Sequence, residues 1–211
     1  MRRIIFDLDN TIYPREVGLF SLVDNRINAY MRMKLGLDYD AIEILRLKYM
    51  DEYGTTLAGL MVYHNIDPDD YLSFVHDICV EDILSTNPEL GSLFEQIVID
   101  KVIFTNGSFS HALRVLNALG VTSYFSRIFD IRFMNYIAKP NILSYQRLLD
   151  ALGVDATECL IVEDLAKNLY PAKELGMTTV LIGDEKCKDF DFIIDDIFGI
   201  DKVLKEIGQN E

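Results

Sequence analysis

Short runs rich in β-branched residues recur along this chain, and helical patterns separate most of them. The runs are "IIF" at 4–6, "KVIFT" at 101–105, "RIFDI" at 127–131, "CLIV" at 159–162, "TTVLI" at 178–182 and "FII" at 192–194. Runs this short and this apolar suit strands buried on both faces. Between them, "SHALRVLNALG" sets Leu113, Leu116 and Leu119 at helical spacing and ends on Gly120 as a C-cap, and "LAKNLYPAKELG" closes on Gly176. Strand–helix–strand alternation predicts an α/β fold with a doubly wound parallel sheet.

From about residue 15 to 97 that rhythm stops, and helices follow one another with no clear strand. Ile42, Leu45 and Tyr49 form one apolar stripe. Asp67-Pro68 and Asn87-Pro88 each read as an N-cap followed by Pro at the first helical position. An interruption this long is a small domain of its own. The expected division is a core of residues 1–14 and 98–211 with a helical insert at 15–97.

In an open parallel sheet, ligands bind beyond the carboxyl ends of the strands. The first strand ends in Asp7 and Asp9, two acids that repel each other unless a proton or cation lies between them. "KVIFT" ends in Thr105, followed by Asn106 and Gly107; "CLIV" ends in Glu163 and Asp164; Lys139 lies in the loop before the helix leading to that strand. Such a set fits phosphoryl transfer. Asp7 and Asp164 offer hard oxygens to Mg²⁺, which relieves the crowding of acids, and Asp7 can also act as a carboxylate nucleophile. Residues i and i+2 of an extended segment point the same way, so Asp9 can protonate the leaving oxygen and then activate water. Thr105, the N–H groups of Asn106 and Gly107, and Lys139 suit the phosphate oxygens.

The set "DLDNT", "FTN", "AKP" and "VEDLAKN", spanning Asp7 to Asn168, resembles the four motifs of the haloacid dehalogenase superfamily. The insert is similar to its C1-type cap. "EYGTTLAGLMVYHNIDPDDYLSFVHDI" and "HALRVLNALG" resemble its pyrimidine 5′-nucleotidase-like subgroup. The resemblance implies Asp7 as nucleophile, Asp9 as general acid/base that also gives its backbone carbonyl to Mg²⁺, and Asp164 as metal-ligand acid. It further implies Glu163 as an outer partner through water, Thr105, Asn106 and Lys139 as phosphate binders, and Asn168 as an orienter behind them. An acid at position 9 points to phosphate chemistry over dehalogenation. Motif four reads Glu-Asp where relatives often have Asp-Asp, and Ala58 stands where they often carry Arg.

The expected activity is a Mg²⁺-dependent phosphatase acting on a small phosphomonoester, such as a pyrimidine nucleoside 5′-monophosphate. The alternatives are a phosphomutase of the same fold and a binding protein on a retired phosphatase scaffold. Tyr53, Thr55, Thr56 and His64 are candidate substrate contacts, set against packing or capping roles for the same residues. His76 and His111 read as surface or packing residues.

The net charge of −14 argues against an extended nucleic-acid surface. Cys79, Cys159 and Cys187 are too few and too scattered for a disulfide framework or a zinc site, so a cytoplasmic setting is expected. No apolar run approaches the ~20 residues of a membrane helix, and no signal peptide is apparent. "KCKDFDFIIDD" reads as loop, strand and helix start, with its Phe residues in the core.

Overall fold

The computed structural model describes residues 1–183 and 189–209; Cys187 and the start of the "KCKDF" loop lie outside them. The elements in chain order are β1 (Arg3–Phe6), α1 (Leu19–Leu35), α2 (Tyr39–Tyr53), α3 (Thr56–His64), α4 (Pro68–Val75), α5 (Pro88–Gln96), β2 (Asp100–Phe104), α6 (Phe109–Leu119), β3 (Phe125–Phe129), α7 (Ile142–Leu152), β4 (Cys159–Glu163), α8 (Ala166–Glu174), β5 (Thr178–Ile182), β6 (Phe192–Ile194) and α9 (Ile200–Gln209).

The strands form one six-stranded sheet in the order β3-β2-β1-β4-β5-β6. Every pairing is parallel, and β1 sits between β2 and β4 with Phe6 opposite both Ile103 and Val162. Ile4, Ile5 and Phe6 are completely buried because helices cover both faces of the sheet. The pleat divides them. Ile4 and Phe6 join Ile103, Leu160 and Val162 in a core closed by α6 and α9. Ile5 joins Val102, Phe104 and Ile161 in a second core closed by α7 and α8. Helix starts are capped as the sequence indicates: Asp67 accepts from Asp69 N at 2.8 Å, and Asn87 from Leu90 N at 3.0 Å.

The expected insert differs from the packing at its C-terminal side. Helices α1–α4 share a third core, in which Tyr30, Ile42, Tyr49, Leu60 and Leu72 meet and which Ile131 and Ala138 of the β3–α7 loop join. Val80, Leu84, Leu90, Phe94 and Ile97 instead belong to the core of the sheet. The cause is aromatic packing from α5: Phe94 meets the edges of Phe6 at 5.6 Å and Phe125 at 5.0 Å between centroids. Five consecutive helices look alike in sequence, yet only the first four turn their apolar faces to one another. Among the described residues no helix is long and apolar enough to cross a membrane.

Candidate active site

The middle strand delivers Asp7 between the ends of its two neighbours. Asp7 is 8% exposed. Its Oδ1 accepts from Lys139 Nζ at 2.7 Å and its Oδ2 from the Thr11 hydroxyl at 3.2 Å. Thr11 reaches back because a helical turn follows the strand, with Ile12 N donating to Leu8 O at 3.0 Å.

Lys139, 1% exposed, also donates to Glu163 Oε1 at 2.7 Å and to Phe104 O at 2.9 Å. All three ammonium hydrogens are therefore committed. Burial disfavours the charge, but Asp7 and Glu163 outweigh it and hold the Lys139 pKa above its ordinary value. Glu163, with no exposure, takes Lys139 and Asn168 Nδ2 (2.6 Å) on Oε1 and Leu165 N (2.9 Å) on Oε2. Its oxygens anchor the lysine and the turn after β4.

Ligand atoms of Asp7, Glu163 and Asp164 lie within 4.8 Å of one another. Three carboxylates against one ammonium leave two negative charges in a largely buried place. Burial, reinforced by Glu163 and Asp164 against the pull of Lys139, raises the Asp7 pKa well above its ordinary value. Burial and Glu163 push Asp164 up to about 7. A hard divalent cation fits this donor set and removes its charge imbalance.

Asp9 differs. Its Oδ1 accepts from both the Tyr13 hydroxyl at 2.6 Å and His111 Nε2 at 2.8 Å. Burial works to raise its pKa, but His111 and Tyr13 overcome that and lower it. Oδ2 is left toward Gly107, where an added Cβ would lie 3.8 Å from it and 3.2 Å from Thr105 Oγ1. His111 is 1% exposed and its Nδ1 has no partner, which places the ring proton on Nε2. Behind it, His76 from the end of α4 stacks at 4.4 Å and bonds Ser108 Oγ through Nδ1 at 2.9 Å. Ser108 also caps α6. Burial pushes the His76 pKa down to about 3, so that ring is neutral.

Asn106 contributes its backbone more than its side chain. Its amide is locked to Lys139, accepting from Lys139 N at 2.8 Å and donating to Lys139 O at 3.1 Å. Thr105 Oγ1 accepts from Gly107 N at 2.9 Å, so that N–H is already committed. The insert reaches this loop through Gly54, whose φ is +81° and where a Cβ would meet Lys139 O at 2.7 Å.

A cavity of about 350 Å³ runs from this cluster to the insert. Asp7, Asp9, Thr105, Asn106, Gly107 and Lys139 line it, as do Asp164, Asn168, Thr55 and Thr56. Thr55 also caps α3, accepting from Ala58 N at 3.2 Å. Tyr53 and His64 are not brought there, contrary to the expectation. Tyr53 donates to the Tyr63 hydroxyl at 3.2 Å, and His64 is exposed with Nε2 at 2.8 Å from the Tyr49 hydroxyl. The turn at Gly54 separates them: Thr55 and Thr56 start α3 on the cavity wall, while Tyr53 faces Tyr63 farther along the same hairpin.

Sequence reasoning missed Tyr13, Thr11, His111 and His76. Thr11 and Tyr13 carried a signal, each four residues after the acid it holds. His111 carried only a weak one, its place in the first turn after the "FTNGS" strand end.

A profile of the haloacid dehalogenase-like hydrolases matches residues 1–176, and the chain belongs to that family. It is similar to the Saccharomyces cerevisiae protein named Phosphate metabolism protein 8, 26% identical over 83% of this chain and 60% of that protein's length. It is also similar to the Glyceraldehyde 3-phosphate phosphatase of Methanocaldococcus jannaschii, 26% identical over 90% of this chain and 89% of the relative. A solved HAD phosphatase from Thermococcus onnurineus shares the fold, with a TM-score of 0.65 at 23% identity over 97% of this chain and 98% of that one.

Proposed function

We propose that the chain is a Mg²⁺-dependent phosphatase for small phosphomonoesters, with helices α1–α4 serving as a C1-type cap over the site. The observation that carries this reading is the asymmetry of the two acids on β1. Asp7 is aligned by Lys139 and Thr11, while Asp9 is clamped through one oxygen with the other left at the cavity. A carboxylate aligned by an ammonium and a hydroxyl suits in-line attack, and one held through a single oxygen with the other free at the cavity suits proton transfer. Relatives named as phosphatases support the same reading.

Asp7 attacks phosphorus, the bond to the leaving oxygen breaks, and Asp9 passes its proton to that oxygen. The approach of the negative phosphate raises the Asp9 proton affinity, and Asp9 takes the proton from solvent as the substrate binds. In the second half Asp9, now ionised, takes a proton from water as it attacks the aspartyl-phosphate, freeing Asp7 and inorganic phosphate. Thr105 and the Asn106 N–H face the phosphate oxygens, and Lys139 offsets the charge that gathers on Asp7. Asp7, Asp164 and the Asp9 carbonyl would hold Mg²⁺, which when bound neutralises phosphate charge.

The substrate class we favour is a nucleoside 5′-monophosphate, a pyrimidine one by subgroup resemblance; glyceraldehyde 3-phosphate is the competing candidate from the archaeal relatives. Initial rates with both, with p-nitrophenyl phosphate, and with and without Mg²⁺ test the reading. The expected result is Mg²⁺-dependent release of phosphate from the aryl ester and faster release from one of the metabolites. No phosphate release from any ester would overturn it in favour of a binding protein.

A further inference from the structure

The insert-side wall of the cavity is apolar through Phe20, Val23, Ile27, Met50, Leu72 and Val75. It is interrupted where Asp24 of α1, Arg46 of α2 and Tyr71 of α4 line the same cavity. The Arg46 side chain is 13% exposed. Its Nη1 donates to Asn28 Oδ1 at 2.6 Å, and its Nη2 pairs with Asp24 Oδ1. Its Nε is buried with no partner among the described residues. Tyr71 is 4% exposed, and no described residue hydrogen-bonds its hydroxyl. Buried donors are nearly always satisfied, so an unmatched one on a cavity wall calls for a ligand atom.

We propose that Asp24, Arg46 and Tyr71 recognise the uncharged polar end of the substrate. A carbonyl or hydroxyl oxygen accepts from Arg46 Nε, and an N–H or O–H donates to Asp24, with the Tyr71 hydroxyl free to serve either. Charge selects against a second phosphate. Asp24 already neutralises Arg46, and its carboxylate would face the incoming anion. The apolar residues that share this wall with the trio suit a flat or hydrocarbon body. Two sources carry this chemistry: the C=O/N–H edge of a nucleobase, and the carbonyl and hydroxyl groups of a small sugar phosphate. The proposal rests on the phosphatase reading for the other end of the cavity.

The test is kcat/KM for uridine 5′-monophosphate, glyceraldehyde 3-phosphate and fructose 1,6-bisphosphate, each divided by the value for phenyl phosphate, which has a body but no polar end. These ratios are measured in wild type, Arg46→Met and Arg46→Lys. Lysine keeps the ion pair with Asp24 and hence the fold, but has no Nε–H, so it serves even where the methionine variant does not fold. The ratio for the preferred neutral-ended ester should fall about 10- to 100-fold in both variants, the value of one hydrogen bond to a charged group. A fall for uridine 5′-monophosphate identifies the base edge, and a fall for glyceraldehyde 3-phosphate the sugar groups. Equilibrium binding of the same compounds by Asp7→Asn protein gives the ratio without turnover. Selective binding without phenyl phosphate hydrolysis therefore sinks the phosphatase reading and supports this one. Unchanged ratios in both variants, or a wild-type preference for the bisphosphate, overturn it.

Discussion

At the strand-end wall of the cavity Lys139 has a partner for each of its N–H groups, Glu163 accepts on both oxygens, and Asp9 Oδ1 accepts twice. At the insert wall Arg46 Nε has no partner among the described residues. Under the proposed reading the difference separates chemistry from recognition, and the strand-end atoms that also lack partners, His111 Nδ1 and Asn168 Oδ1, belong to residues that hold Asp9 and Glu163. Groups that must hold a fixed geometry during bond breaking are tied to the protein beforehand, which removes the cost of ordering them in the transition state. Groups that select a substrate keep a valence open for it. The strand-end wall is also built on a sheet buried on both faces, whereas the insert wall rests on helices whose core meets the rest of the molecule through Ile131 and Ala138.

The largest effect expected at the fixed wall comes from Asp7→Asn. The amide keeps the shape and can still accept from Lys139, but it is a poor nucleophile. Rates with every ester should fall by ~10⁴-fold or more, with unfolding temperature little changed. Residual activity within about tenfold of wild type in purified protein would remove Asp7 from the nucleophile position.

A smaller loss is expected from His111, which acts only through Asp9. His111→Phe fills the space and keeps the stack on His76 but deletes the bond to Asp9 Oδ1. The expected loss in kcat is ~10- to 100-fold, the usual cost of removing an orienting partner. It should be larger for alkyl phosphates, which need a protonated leaving oxygen, than for p-nitrophenyl phosphate, which does not. Gln at this position can place an amide N–H where Nε2 lies and should recover part of the rate. Equal losses on both ester types, with no recovery by Gln, would reduce His111 to a packing residue.

The legibility of the two walls follows the same division. Six strands, the helical insertion and the strand-end acids were all readable, because parallel strands buried on both faces leave unbroken apolar runs and their ends are where ligands bind. Asp7, Asp9, Thr105, Lys139 and Asp164 each sit at or just beyond such an end, or in the loop beside it. What was not readable depends on helix rotation. Whether Tyr53 or Thr56 faces the cavity turns on the break at Gly54, and α5 joins the sheet through Leu90 and through Phe94, which finds Phe6 and Phe125. Arg46 lies on a helix whose exposed face also carries Ile44 and Leu47, so no stripe in the sequence marks it. His111 and Asp9 are 102 residues apart, and that pairing exists only in three dimensions.

The crowded acids give a pH-dependent prediction. Asp7 and Asp164 have pKa values raised above the ordinary value near 4 of an unfolded carboxylate, Asp164 to about 7. Groups raised in this way contribute stability that is present below about pH 4 and is lost as pH rises, through about 7 for Asp164, because the two acids must then ionise side by side. Mg²⁺ competes with those protons. The rise in unfolding temperature on adding Mg²⁺ should therefore be small at pH 5 and should grow through pH 7, as read by thermal denaturation with and without EDTA. A shift independent of pH across that window would place the cation elsewhere.

The smallest effects are expected where the sequence pointed to recognition and the structure does not. Tyr53 and His64 belong to the α2–α3 hairpin, as Thr56 does, so the three together test whether position on the hairpin or position on the cavity matters. Among the described residues the hydroxyl of Tyr53 meets Tyr63 at 3.2 Å, and His64 meets Tyr49 at 2.8 Å on an exposed surface. Tyr53→Phe and His64→Ala each remove one such solvated hydrogen bond and should leave the unfolding temperature nearly unchanged. Neither should change the ranking of nucleotides and sugar phosphates by more than about twofold. Thr56, 4% exposed and on the cavity wall, differs from Val by little more than its hydroxyl. Thr56→Val should shift that ranking severalfold, because it changes the polarity a bound substrate meets. A substrate panel across the three variants reads this directly. A larger change in ranking from His64→Ala than from Thr56→Val would mean that the outer face of the hairpin turns toward the substrate during turnover, and the division between a fixed catalytic wall and an open recognition wall would then have to include a moving insert.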